Sequence, residues 1–151
     1  MSVDLITRCY LWLIERRGFK HGINFDIEKG ANIDRAFCKL ITCGDNVTLA
    51  KDVYVLAHDA SMKKFLGRTK VGRVKIGNNV FIGAGAVVLP GVTIGDNVIV
   101  AANSCVNRSI PSGEVWGGCP AKKICGIDEF INKHKYRIEY NDTDGQYSYI
   151  L

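Results

Sequence analysis

A chain of 151 residues, 47% apolar and 23% charged, can bury one core without disulfides or metal, and this usage excludes a disordered or low-complexity polypeptide. Twenty Lys and Arg against fifteen acids leave a formal charge of +5, an excess that suits an anionic small molecule. The positives fall in three clusters, Arg16 to Lys20, Lys63 to Arg73 and Lys122 to Lys123; separate patches fit phosphate contacts on a cofactor better than the single stripe a nucleic acid demands, and no nucleic-acid motif is present.

Residues 1–24 form an N-terminal helical segment. Its apolar run, Leu5 to Gly18, is interrupted by Arg8 and falls short of the ~20 residues needed to span a bilayer. The expectation is an amphipathic helix packed on the domain, with Gly18 as its stop; Trp12, Arg16 and Arg17 leave a membrane-surface helix as the alternative. Six cysteines, at 9, 38, 43, 105, 119 and 125, include no CxxC pair, and no signal peptide precedes them. Reduced thiols and a cytoplasmic location follow as expectations.

Residues 25–125 carry a period of six. From Ile76 to Ile110 the chain divides into IGNNVF, IGAGAV, VLPGVT, IGDNVI, VAANSC and VNRSIP: aliphatic first, small or β-branched fifth. An upstream set, CGDNVT, LAKDVY and VLAHDA, covers Cys43 to Ala60, and a rougher one starts near Ile27. Neither a helix nor a flat strand has this period. A triangular coil does: each hexad makes a short strand and a corner, three hexads complete a turn, and the first-position aliphatics stack inward. "GDN" at 44–46 and 95–97 and "GNN" at 77–79 suit corners, where positive φ favours Gly, Asn and Asp. Cys43 and Cys105 read as core filler. The step from Cys43 to Ile76 is five hexads and half of a sixth, so an excursion leaves the coil, most naturally at Asp59 to Thr69. Residues 126–151 read as a C-terminal helix over Ile127 to Tyr140, with Ile127, Phe130, Ile131 and Ile138 available to pack. The last residues are then a loose tail or a strand closing on a partner.

The hexads, together with "VWGGCPAKKI" where a Gly-x-Pro-Ala-Lys ending is expected, resemble the hexapeptide-repeat acyltransferases, and within them the maltose and galactoside sugar O-acetyltransferases. The likeness covers roughly residues 25 to 125. It implies an all-β solenoid, a left-handed parallel β-helix with short N- and C-terminal helices, although general crossover rules favour the right hand. It implies acetyl transfer from acetyl-CoA to an acceptor hydroxyl, without metal and without an acyl-enzyme. A lone histidine is usually structural; the resemblance makes His58, in "VLAHDAS", the general base. Asp59 beside it is a substrate contact or orients the imidazole. The donor contacts carry over to Ala84, Ala102, Asn107, Arg108 and Lys122, with Lys123 alongside. Phe81, Asn107 and Cys119 depart from the residues common at those places.

The resemblance further implies a homotrimer with active sites between subunits, the excursion walling the neighbour's site. A sugar or glycan-precursor hydroxyl is the expected acceptor; antibiotic or amino-sugar N-acetylation is the alternative, and a non-catalytic scaffold a third reading. A zinc enzyme of the γ-carbonic anhydrase type would need three converging imidazoles, and His21 and His134 lie outside the repeat.

Overall fold

The computed structural model describes residues 5–135 and the backbone of 139–141 and 148–150. Helix α1 (Leu5–Arg16) leads into β1 (Asp26–Ile27), β2 (Asn32–Ile33), a 3₁₀ turn at Cys38–Leu40, β3 (Ile41–Cys43), β4 (Val47–Leu49) and β5 (Tyr54–Val55). Strand β6 (His58–Asp59), the single turn α2 (Lys63–Leu66) and β7 (Lys70–Val71) follow. The regular part then runs β8 (Val74–Ile76), β9 (Val80–Ile82), β10 (Val87–Val88), β11 (Thr93–Ile94), β12 (Val98–Val100) and β13 (Cys105–Val106). The chain closes with β14 (Glu114–Gly117), β15 (Lys122–Gly126), α3 (Ile127–His134), β16 (Glu139–Asn141) and β17 (Ser148–Ile150).

The coil strands form three sheets, the faces of a triangular prism: β3–β8–β11, β1–β4–β9–β12–β14 and β2–β5–β10–β13, with β15 added antiparallel to the edge of the second. Ile76 pairs with Ile94, Val80 with Val98 and Val88 with Val106, each pair three hexads apart. Cys43 instead pairs with Ile76, five and a half hexads on. The surplus leaves the coil as a hairpin: His58 pairs with Val71 and Asp59 with Lys70, and the Gly72 N–H donates to the Ala57 carbonyl at 2.9 Å, closing the excursion where it opened.

Two residues of each hexad point inward, not one. Besides the first-position aliphatics, the fifth-position Val80, Ala86, Val92, Val98 and Ser104 are buried. The reason is the strand period: in Val80–Ile82 the pattern is in, out, in, so the fifth residue of one hexad and the first of the next share the inner face. Each buried aliphatic contributes about 1.5–3 kcal/mol. Ser104 is tolerated because its hydroxyl donates to the Ala101 carbonyl at 2.6 Å and accepts from the Gly118 N–H at 3.1 Å.

The corners are as the repeat predicts. Asn46, Asn79 and Asn97 have φ of 54°, 54° and 56°. Their side chains form a ladder along the coil: Asn24 donates to Asn46 (2.8 Å), Asn46 to Asn79 (3.0 Å) and Asn79 to Asn97 (3.0 Å).

At the N-terminal end α1 covers the first coil. Ile14 is fully buried, and the Tyr10 hydroxyl donates to the Ile33 carbonyl at 2.8 Å while accepting from the Ile33 N–H at 2.6 Å, satisfying the open edge of β2. Gly18, at φ 100°, ends the helix, with Phe19 N–H bonding Ile14 O and Gly18 N–H bonding Glu15 O. At the other end, the helix expected over Ile127 to Tyr140 stops at His134, and the backbone of 139–141 is extended and pairs antiparallel with 148–150. In the sequence, Asp144-Gly145 stands between these two strands, a pair that favours a hairpin over more helix. The tail is thus a strand paired within its own chain; Ile138 lies outside the described residues.

Candidate functional site

His58 stands three residues beyond β5, where the coil gives way to the excursion. Its Nδ1–H donates to Oδ2 of Asp34. Asp34 immediately follows β2 on the preceding coil and is only 4% exposed. Its Oδ2 also accepts the Ala57 N–H at 3.1 Å, and its Oδ1 accepts the N–H groups of Ala36 (3.1 Å) and Phe37 (3.3 Å). Burial pushes the Asp34 carboxyl up, but the bond from His58 and the backbone donors together outweigh it and hold the group below the ordinary aspartate range.

An ionised Asp34 can only accept, so the imidazole proton resides on Nδ1 and the Nε2 lone pair is left available. The Phe37 ring, 5.0 Å away, packs against the imidazole. With the His58 side chain 36% exposed and Nε2 without a hydrogen bond among the described residues, that lone pair is accessible to a substrate hydroxyl.

Asp34, not Asp59, orients His58. Asp59 is exposed on the excursion, where its Oδ1 accepts the Ser61 N–H at 2.8 Å and stabilises the first bend of the loop. Sequence reasoning missed Asp34 because the first coils are irregular: Ile33 pairs with Val55, a step longer than three hexads. Carrying the phase back from "VYVLAH" to "ANIDRA" by apolar match, rather than by hexad count, would have found it.

The residues expected to hold the donor gather in two groups. Ala84 and Ala102 are exposed on one corner of successive coils, joined by the Asn103 N–H to the Ala84 carbonyl at 2.8 Å. A Cβ on Gly83 would lie 2.5 Å from the Ala102 nitrogen, so only glycine permits this close stacking. Lys122 on β15 pairs opposite Gly117, which itself abuts Ala101, and so joins the same corner. Asn107 and Arg108, both exposed, follow β13 at the far end of that face. They stand two coils from β5, about 10 Å along the axis at ~4.8 Å per strand, on the column leading to His58. Lys123 is already paired with Glu114 at 2.7 Å, whereas Lys122 has no ion pair among the described residues. Of the two cysteines read as filler, Cys43 is buried, its thiol pushed up to about 12 by desolvation, but Cys105 lies on the outer face of β13, half-exposed.

Residues 73–108 match the family model of the bacterial transferase hexapeptide (six repeats). Galactoside O-acetyltransferase of Escherichia coli is 35% identical over 129 residues, 81% of this chain and 63% of that protein. Protein CapG of Staphylococcus aureus is 41% identical over 105 residues, 67% of this chain and 61% of that protein. A solved galactoside acetyltransferase in complex with coenzyme A superposes with a TM-score of 0.65 at 29% identity, covering 92% of this chain and 80% of that one. The chain spans about six-tenths of the length of the curated relatives it matches. The three-faced parallel coil, the repeat it is built from and these likenesses agree: the chain belongs to the hexapeptide-repeat acyltransferases and has their left-handed parallel β-helix.

Proposed function

We propose that this protein transfers an acetyl group from acetyl-CoA to a hydroxyl of a sugar or glycan precursor, with His58 as general base. The observation that carries the proposal is the Asp34–His58 pair, which fixes the imidazole with Nε2 free at the mouth of the excursion. The acceptor hydroxyl gives its proton to Nε2 as its oxygen attacks the thioester carbonyl. The new C–O bond forms, the C–S bond breaks, and the imidazolium returns the proton to the departing thiolate. Asp34 is a positioning residue: it holds the tautomer and stabilises the imidazolium.

Ala84 and Ala102 let the pantetheine arm approach the backbone, and Arg108 and Lys122 pair with phosphate oxygens. Lys123 and Asn107 are secondary donor contacts, and Asp59 acts on the acceptor only through the loop it shapes. A homotrimer with sites between subunits supplies the walls that one chain lacks, and the chain works in the cytoplasm, where thiols stay reduced. The test is His58→Ala, followed by thiol release with acetyl-CoA and a panel of glycosides. A loss of about 10²–10⁴-fold in kcat is expected, with acetyl-CoA binding by calorimetry retained; an unchanged rate of acceptor-dependent thiol release overturns the assignment.

A further inference from the structure

The largest local surplus of charge in the molecule sits in one segment. Residues 59–73 hold five cations, Lys63, Lys64, Arg68, Lys70 and Arg73, against one carboxylate, Asp59, a surplus of four out of the chain's net +5. The remainder of the chain is almost neutral. All five cations are exposed, and among the described residues none takes part in an ion pair. The one acid accepts the Ser61 N–H and stands opposite Lys70 across the hairpin stem, which leaves the surplus of four.

This segment also begins at the candidate site. His58 itself is the first residue of the hairpin stem, paired with Val71, so Lys70 and Arg73 lie within two residues of its partner, and Lys63, Lys64 and Arg68 occupy the loop that joins the two stem strands. Like charges concentrated without partners repel one another, a cost that a surface loop ordinarily avoids by interspersing acids. The sequence alone would give this cluster to cofactor phosphates as well, but the donor has proposed cations of its own in Arg108 and Lys122, on later coils. A neutral sugar does not account for them either.

We propose that the acceptor is anionic, bearing a carboxylate or phosphate near the hydroxyl to be acetylated, and that Lys63, Lys64, Arg68, Lys70 and Arg73 beside His58 hold that group. The inference rests on the acetyltransferase reading and narrows its substrate class. Two roles follow for the loop. It draws the acceptor toward the base by long-range attraction, and it selects against neutral glycosides of the same ring.

The experiment compares methyl glucoside, methyl glucuronide and glucose 1-phosphate as acceptors with acetyl-CoA, reading thiol release. The expected result is a kcat/KM for at least one anionic acceptor on the order of tenfold or more above that of the neutral one. This preference should collapse as ionic strength rises from about 0.01 to about 1 M, where the screening length shrinks from about 30 to about 3 Å. In Lys63→Gln/Lys64→Gln/Arg68→Gln the anionic-to-neutral ratio should fall toward one. A preference for the glucuronide identifies a carboxylate, one for the sugar phosphate a phosphate. Equal, salt-independent use of all three overturns the proposal while leaving acetyl transfer standing, and a triple variant that raises KM for acetyl-CoA instead assigns the cations to the donor and overturns it too. If acetyl-CoA neither binds nor releases thiol with any acceptor, the acetyltransferase reading and this one fall together.

Discussion

At the scale of single residues, the proposed chemistry turns on one buried carboxylate set behind the imidazole. Asp34 brings four hydrogen bonds to a single point, three from backbone and one from His58, so its charge is held in place before any substrate arrives. Asp34→Asn preserves shape but removes the obligate acceptor, letting the ring adopt the tautomer with its proton on Nε2. We expect kcat to fall by about 10²-fold or more, with KM for acetyl-CoA unmoved. The same variant has a pH signature. Because the folded-state value of Asp34 is depressed, its stabilisation is complete above the ordinary aspartate range and is lost as pH falls through the lower, folded value. Thermal unfolding followed downward from about pH 5 should therefore show a shallower decline in Asp34→Asn than in the parent. Parallel acid limbs would remove Asp34 from the account.

At the scale of elements, the corners do as much as the strands. Asn79 holds left-handed backbone and joins its amide to those of Asn46 and Asn97. Asn79→Leu forces a bulky residue into that region, at about 1–2 kcal/mol, and breaks ladder hydrogen bonds of ~1 kcal/mol each. The expected loss is about 2–4 kcal/mol by denaturant unfolding, and Asn79→Gly should recover the backbone share alone. Equal losses in both variants would mean that the ladder, not the backbone, carries the cost. Gly83→Ala acts at the corner proposed for the donor: its methyl would meet the Ala102 nitrogen, so the coils must part there. A raised KM for acetyl-CoA is the outcome to look for, and an unaltered one would move the pantetheine arm elsewhere.

At the scale of the whole molecule, the coil needs closing at its ends, and a charged excursion leaves it at His58. Helix α1 closes the first coil by burying Ile14 and satisfying both edge groups of Ile33 through Tyr10. Tyr10→Phe leaves those groups to compete for water and should lower stability by about 1–3 kcal/mol; calorimetric unfolding reads it directly. Assembly is tested by light scattering against the 16.7 kDa chain mass. A particle of three chains supports sites between subunits, whereas a monomer that acetylates acceptors at full rate would make each chain sufficient.

The period of six determined the coil by itself, because only an inward aliphatic every sixth residue, with Gly, Asn or Asp between, lets short strands stack at every turn; the position of the excursion also followed, from the half-hexad slip in phase. What the tertiary structure decided lies where that period fails. Ile33 and Val55 pair across a step that is no whole number of hexads, and only that irregular register brings Asp34 beneath His58, a contact invisible to hexad counting. The hairpin after His134 was likewise set by local pairing, outside the repeat, whereas the second inward position of each hexad and the outward turn of Cys105 follow from strand alternation acting within it. A repeat specifies what recurs from coil to coil. The Asp34–His58 pair of the candidate site is built from residues that occur once, and their meeting depends on how the chain departs from its own rule.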